Sequence, residues 1–176
     1  MTQVEQAYAQ GLYALAQEEN LTDELLQQLT VLEKTVGQDQ QYLSLLSTPA
    51  LSKEERCKLL DDAFRDKVHI YVLNFMKILM EKGYIRHFSG CCRSFRQQYN
   101  EDHGILPVQV VSATRLTEDQ QKKLQQTLER KTGKSVCLQC LVDPEVLGGL
   151  RLDYDGVRID GTVKSRLDEV RKLLLK

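Results

Sequence analysis

The sequence predicts a mainly α protein, in which a six-helix N-terminal bundle is followed by a small α+β C-terminal domain with a β-hairpin. Two observations indicate the bundle: only three of the 176 residues are proline, and apolar side chains recur at helical spacing throughout the N-terminal part. A third marks the second domain, because near residue 105 the pattern changes to short runs rich in β-branched residues. We therefore expect two domains, residues 1–104 and 105–176.

Six amphipathic segments with short connections make up the N-terminal part, which is typical of an antiparallel bundle. A capping box at Ser52-Lys53-Glu54-Glu55 opens the fourth helix, and Gly83 ends the fifth. The sixth carries an apolar face of Ile85, Phe88, Cys92, Phe95 and Tyr99. The predicted helices cover residues 4–19, 25–36, 42–46, 52–64, 68–82 and 85–102.

The C-terminal part alternates strands with helices. The run Val108–Ser112 is rich in β-branched residues and is a predicted strand, and a second strand is predicted at Val136–Val142. Between them, a capping box at Thr117 opens a helix that ends at Gly133. A final amphipathic helix is predicted from a stripe of Val163, Leu167, Val170 and Leu174.

A β-hairpin is predicted around Asp155-Gly156, because a two-residue Asp-Gly link favours a type I′ turn. This turn places residues of opposite charge across from each other and puts the apolar pairs on the other face. The expected pairs are Tyr154 with Val157, Asp153 with Arg158, Leu152 with Ile159, and Arg151 with Asp160.

The first and fifth helices carry more apolar side chains than one core requires. Over Val68–Met80 these side chains cover roughly 200° of the helical wheel, whereas a core-facing stripe is somewhat over 100° wide. Either the two helices are central in the bundle, or they flank a groove for a partner's amphipathic helix, and both can hold. In the first helix, Tyr13 and Ala14 add to a main stripe of Val4, Ala7, Tyr8, Gly11, Leu12, Leu15 and Ala16.

The sequence contains no residue set that points to catalysis, a cofactor or a metal site. The run Thr132–Ser135 is similar to the end of a phosphate-binding loop, but it lacks the earlier glycine and follows a helix. Cys137 and Cys140 have CxxC spacing, but on a strand their thiols face opposite sides. Five cysteines, an odd number, indicate free thiols in a reducing compartment.

The charge distribution disfavours nucleic acid as a partner. The formal net charge is −1, with −4 over residues 1–105 and +3 over residues 106–176, so no basic field covers the chain. An RNA-binding helical bundle of the antitermination type is nevertheless the alternative function, because an all-α bundle of this size suits that role, although the net charge of −4 over residues 1–105 disfavours it. An enzyme ranks below it. The chain has no signal-peptide pattern and no apolar run of about 18 residues, so we expect no direct membrane insertion.

Two C-terminal runs carry a resemblance to a known family. Val142–Leu152 contains a double glycine before the hairpin, and Val157–Leu167 contains Ile-Asp-Gly-Thr-Val followed by Arg-Leu. Because of these two runs, the chain resembles the δ subunit of bacterial rotary ATP synthases, which is the counterpart of the mitochondrial oligomycin-sensitivity-conferring protein. The resemblance extends over nearly the whole chain. Gln6 and Tyr84 depart from the family, which often has arginine at both positions. The supporting runs are Ala7–Leu12, Leu73–Phe75, Glu81–Gly83 and Val110–Ala113.

The resemblance implies a non-catalytic connector in the stator, without cofactors. Its N-terminal domain would hold the N-terminal helix of an α subunit between the first and fifth helices, and its C-terminal domain would bind the b subunits. The connector would be a peripheral subunit at the cytoplasmic face of the bacterial cell membrane. In the N-terminal domain the expected partner contacts are Tyr8, Gly11, Leu15, Asn74 and Ile78. The alternative role of each is burial in the bundle core. In the C-terminal domain the expected contact is Arg166, on the exposed face of the last helix.

Overall fold

The chain divides into two compact units, Met1–Tyr99 and Asn100–Lys176. The computed structural model describes residues 2–36, 39–48, 51–163 and 165, and of Gln40 only the backbone. The first unit is helical, and the second combines a helix with a four-stranded sheet. This arrangement confirms the predicted fold class, and each unit has its own apolar core.

The described residues of the first unit contain six α-helices, the last of which continues to Asp102. Ser52 and Glu55 form the predicted capping box at the start of the fourth helix. Thr2 and Glu5 form another, which opens the first helix one residue earlier than the apolar stripe predicts. The helices are α1 (Gln3–Glu18), α2 (Thr22–Thr35), α3 (Gln40–Ser47), α4 (Lys53–Phe64), α5 (Ile70–Glu81) and α6 (Phe88–Asp102).

The connection between α5 and α6 differs from the prediction. Gly83 ends α5 in the left-handed conformation (φ +76°), as expected. The next helix begins with a 3-10 turn at Ile85–His87, and the α-helix starts only at Phe88. The predicted apolar face is nonetheless placed correctly, since Ile85, Phe88, Cys92 and Phe95 are all fully buried.

A single core fills the first unit, and α5 is its central helix. The α5 contribution is Val72, Leu73, Phe75, Met76, Leu79 and Met80. The α1 contribution is Ala9, Leu12, Tyr13 and Ala16. The Tyr13 ring packs edge-to-face on Phe95, with ring centroids 5.2 Å apart. Burying one large apolar side chain contributes roughly 1.5–3 kcal/mol, so these contacts hold α1 to the bundle.

The second unit contains a mixed four-stranded sheet. Numbered in chain order, its strands lie side by side in the order β2-β1-β3-β4. β1 and β2 are parallel and are linked through helix α7, while β3 and β4 are antiparallel additions. Thr117 and Gln120 form the predicted capping box of α7, and Gly133 ends it at φ +68°. The elements are β1 (Ile105–Ser112), α7 (Glu118–Thr132), β2 (Ser135–Val142), β3 (Leu150–Tyr154) and β4 (Val157–Asp160).

β1 begins three residues before the predicted strand and includes Pro107. Proline has no N–H to donate, so it is normally excluded from the middle of a sheet. β3 pairs only with Gln109–Ser112 of β1. Pro107 therefore lies where β1 has β2 as its only neighbour, and the strand can extend through it.

The hairpin forms in the predicted register, with all four expected pairs present. Asp155 and Gly156 both have positive φ, as a type I′ turn requires. One ion pair differs from the expectation: Arg151 donates to Asp153 on its own strand (3.3 Å), beside the expected Arg158–Asp153 pair (2.5 Å). Asp160 instead accepts a hydrogen bond from the Thr162 N–H (2.9 Å).

Only the start of the predicted final helix is described. Val163 and Ser165 are helical, and the Ser165 N–H donates to Thr162 Oγ1 (3.2 Å) as an N-cap bond. The remaining predicted stripe residues, Leu167, Val170 and Leu174, lie outside the described residues, and so does Arg166.

Gly149 should tolerate no side chain. Its φ is +83°, and an added Cβ would lie 2.4 Å from the Gly161 carbonyl oxygen. Gly149→Ala should lower the free energy of unfolding by more than about 2 kcal/mol, because the two backbones would have to separate. Gly133→Ala is the control: it has φ +68° and open space around the Cβ position, so only about 1 kcal/mol should be lost. Urea unfolding of the full chain measures both, and equal losses would contradict the close contact at Gly149.

Candidate partner-binding groove

α1 has two apolar faces, and only one of them enters the core. The buried face consists of Ala9, Leu12, Tyr13 and Ala16. Of the main stripe that the sequence predicts, only Leu12 and Ala16 are buried, while the other members remain partly or fully accessible. These others are Val4, Tyr8 and Leu15, which are half-buried, and Ala7 and Gly11, which are exposed. α1 thus turns much of its apolar surface away from the core.

α5 is divided in the same way. Six of its side chains are buried, yet Ile70 and Ile78 are 54% and 46% exposed. Asn74 lies between them and is also exposed. The spacing of four residues places all three on one face of the helix. α5 is therefore central in the bundle and also has two exposed isoleucines on its outward face. That this face lines a groove for a partner's helix stays a prediction.

The structure places the predicted contact residues at the surface or partly at it. Tyr8 and Leu15 are half-buried, Gly11, Asn74 and Ile78 are exposed, and Arg166 is outside the described residues. Gly11 lies in the middle of α1, and no atom comes within 4 Å of the position a Cβ would occupy. Nothing in the bundle therefore requires a glycine there, although a glycine inside a helix costs about 1 kcal/mol.

The sequence prediction did not include Tyr84, which the structure adds to this surface. The Tyr84 ring lies 6.0 Å from the Tyr8 ring and 6.1 Å from the His87 ring, measured between centroids. Because Tyr84 follows α5 in the chain, this contact brings the end of α5 beside α1. The available signal was an aromatic residue at a position where the resembled family often has arginine.

Glu5 anchors the first turn of α1. Its Oε2 accepts a hydrogen bond from the Thr2 N–H (2.7 Å), and its Oε1 lies 3.0 Å from His87 Nδ1. An ionised carboxylate can only accept, so this contact requires a proton on Nδ1. The His87 and Thr2 bonds hold the pKa of Glu5 below its usual value, although burial acts in the opposite direction.

Gly90, in the first turns of α6, provides the space that Glu5 occupies. A Cβ at this position would lie 2.2 Å from Glu5 Cδ and 2.3 Å from its Oε1. Any larger residue would therefore displace the carboxylate from His87. The close approach of Glu5 explains a glycine that would otherwise only weaken the helix.

The cysteines show no arrangement suited to catalysis or metal binding in the described part of the chain. Burial raises the pKa of the Cys91 thiol to about 11 and raises that of Cys92 as well, so both stay protonated at neutral pH. Cys137 and Cys140 are free and exposed on β2. Among the described residues, no group of three or more His, Cys, Asp or Glu could hold a metal ion.

Over the described residues, none of the helices is both long enough and apolar enough to cross a bilayer.

A separate apolar cavity of about 630 Å³ lies among α2, α3 and the end of α4. None of the residues expected in the groove lines it. The Tyr42 hydroxyl, on a residue that lines it, is buried without a hydrogen-bond partner within the described ranges, and burial raises the pKa of this group. The apolar lining includes Val31, Val36, Phe64 and Val68.

Comparison with known sequences identifies close relatives of the whole chain. The family described as ATP synthase delta (OSCP) subunit matches residues 4–174. ATP synthase subunit delta of Clostridium kluyveri is 31% identical over 173 residues, covering 98% of this chain and 96% of the relative. The same subunit of Desulfitobacterium hafniense is 32% identical over 171 residues, covering 97% and 96%.

A solved structure has the same fold. A chain of the Toxoplasma gondii mitochondrial ATP synthase hexamer aligns with a TM-score of 0.76 and 17% identity, covering 99% of both chains. At this identity the match concerns the fold alone, and it agrees with the predicted order of a helical part followed by a small α+β part.

Gly90→Ala should destabilise the chain when residue 5 is glutamate and stabilise it when residue 5 is alanine. In the wild type the added methyl group displaces the Glu5 carboxylate, so the free energy of unfolding should fall by about 1–2 kcal/mol. In a Glu5→Ala background the three closest contacts of the added methyl group are absent, and the same change should stabilise by about 0.5–1 kcal/mol, because alanine favours helix. Urea unfolding of the four variants completes the cycle. The same sign in both backgrounds would contradict the role assigned to Gly90.

The contribution of Glu5 to stability should depend on pH. Because its pKa is lower in the folded than in the unfolded chain, the contribution is present above the unfolded pKa and is lost on acidification below about pH 4.3. Glu5→Gln removes the titrating group, so stability should fall less steeply between about pH 5 and pH 3. Urea midpoints measured across this range give the two curves, and parallel curves would argue against an ion pair with His87.

Proposed function

This chain belongs to the family of ATP synthase delta (OSCP) subunits, and we propose that it is a non-catalytic stator connector of a rotary proton-translocating ATP synthase. In this proposal the N-terminal unit binds the N-terminal helix of an α subunit, and the C-terminal unit binds the b subunits of the peripheral stalk. The link keeps the catalytic head from turning with the rotor, so that torque drives ATP synthesis. The chain is then held at the cytoplasmic face of the bacterial cell membrane by the complex.

The outward apolar stripes of α1 and α5 are the observation that supports the N-terminal contact. A helix that binds in a groove uses apolar anchors along one face, one and two turns apart. Ile70 and Ile78 on α5, and Tyr8 and Leu15 on α1, lie about two turns apart, so both helices offer apolar surface at the two-turn spacing. Aligned exposed apolar residues of this kind mark interaction sites more often than isolated ones do.

Two less apolar residues give this surface its proposed specificity. Gly11 leaves open space above α1, which would let the backbone of the bound helix approach closely. Asn74 lies between Ile70 and Ile78 and can donate and accept hydrogen bonds within an apolar surround. A single polar group in such a surface fixes the register of the bound helix, because a shifted helix would leave the amide unpaired.

The C-terminal unit offers apolar surface for the b subunits. Val157 and Ile159 are about half exposed, and they lie two residues apart on β4, so they project from the same face. Leu147, before β3, and Val163, at the start of the last helix, are also exposed. The proposed contact at Arg166 lies outside the described residues and rests on the family resemblance alone.

Isothermal titration calorimetry with a peptide of the α-subunit N-terminal helix tests the N-terminal contact on the full chain. Ile78→Asp should weaken binding at least about tenfold, because the carboxylate would be buried against apolar side chains. Val31→Asp on α2 is the matched control, since Val31 is 61% exposed and should not affect the dissociation constant. A wild-type chain that does not bind at micromolar peptide would reject the proposal.

Gly11→Ala should separate stability from binding. In the free chain the alanine should raise the free energy of unfolding by about 0.5–1 kcal/mol, because it favours helix and meets open space. In the complex its methyl group would stand between two backbones, so peptide affinity should fall by about tenfold. Urea unfolding and calorimetry measure the two effects. A variant that is more stable and binds as tightly as the wild type would remove Gly11 from the groove.

A further inference from the structure

Tyr84 has a fixed position at the end of α5. The Gly83 N–H donates to the Met80 carbonyl (3.1 Å), and the Tyr84 N–H donates to the Leu79 carbonyl (2.7 Å). With Gly83 at φ +76°, these bonds form a Schellman motif, which sets the direction of the chain after the helix. The Tyr84 carbonyl accepts a bond from the His87 N–H (2.9 Å), so both backbone polar groups of Tyr84 are engaged.

Neighbouring rings hold the Tyr84 side chain on two sides. Tyr8 lies 6.0 Å away in a tilted arrangement, and His87 lies 6.1 Å away, close to edge-to-face. His87 is itself fixed by Glu5, at 3.0 Å. The ring is thus positioned from both α1 and the 3-10 turn, yet 37% of the residue remains exposed. Packing on two sides limits the conformations of the side chain, so less conformational entropy is lost when a partner covers it.

We propose that Tyr84 is a further contact residue of the partner-binding surface, forming with Tyr8 an aromatic wall that receives an apolar side chain of the bound helix. The inference rests on the proposed function, because the ligand is the same α-subunit helix. It is supported by continuity with that surface. Tyr8 belongs to the outward stripe of α1, and the Tyr84 ring, just after the end of α5, lies beside the Tyr8 ring. A rigid, partly exposed aromatic residue is typical of the positions that dominate binding between proteins.

The chain contains no tryptophan, so Tyr84→Trp places a single fluorophore at this site. On saturation with a tryptophan-free peptide of the α-subunit N-terminal helix, its emission should shift to shorter wavelength as water leaves the ring. Leu45→Trp is the matched control, because Leu45 on α3 is 43% exposed and should show no shift. An unchanged Tyr84→Trp spectrum at saturation, with binding verified by calorimetry, would overturn the inference.

Alanine and phenylalanine substitutions test the size of the contribution. Tyr84→Ala should weaken peptide binding by about tenfold, whereas Tyr84→Phe keeps the ring and should stay within about twofold of the wild type. Leu45→Ala again serves as the control, and far-UV circular dichroism checks that each variant is folded. Tyr84→Ala that binds as tightly as the wild type would overturn the inference and leave the proposed function standing. A wild-type chain that does not bind the peptide would instead reject the proposed function, and with it this inference.

Discussion

Glu5 is a carboxylate buried in the helical unit, and it is tolerated there because His87 and the Thr2 N–H bind its two oxygens. A carboxylate shielded from water is unfavourable without partners, so the rotation of α1 that brings Glu5 to His87 is favoured together with the burial of its apolar side chains. This rotation places Ala9, Leu12, Tyr13 and Ala16 in the core. The same rotation turns Tyr8, Gly11 and much of the remaining apolar stripe outward. The surface proposed to bind a partner is therefore related to the Glu5–His87 contact, which lies beside it through the Tyr84 ring.

The helix glycines show how one residue type can have different roles in the same unit. Gly90 meets the Glu5 side chain closely and is explained by packing within the fold, whereas Gly11 meets no atom of the fold. Both carry the same intrinsic cost to helix stability. The fold accounts for only one of them, and the open space at Gly11 is consistent with the proposed approach of a partner helix. Ile70 and Ile78 on α5 are exposed as well, although six other side chains of that helix lie in the core. Their exposure is likewise consistent with the proposed partner helix.

Features that depend on local sequence were predicted most accurately. The Asp155-Gly156 turn determined the register of β3 against β4, and the four pairs formed as expected. Capping boxes at Ser52 and Thr117 and the terminal glycine Gly133 located helix ends for the same reason. In each case the determining contacts join residues a few positions apart, so the sequence contains all the partners. The pairing of Arg151 with Asp153 was missed, because register alone does not decide which of two nearby carboxylates a flexible arginine binds.

The sequence by itself determined the fold class, the order of helices and strands, the hairpin register and, through its C-terminal runs, the family. It also indicated that α1 and α5 carry more apolar side chains than one core-facing stripe contains. Only the tertiary structure decided which face of α1 is buried, that Pro107 can lie within β1, and that Tyr84 lies against Tyr8 and His87. The physical reason is that helical periodicity defines faces but not their neighbours. A choice between two apolar faces depends on contacts such as Glu5 with His87, whose partners are 82 positions apart in the chain.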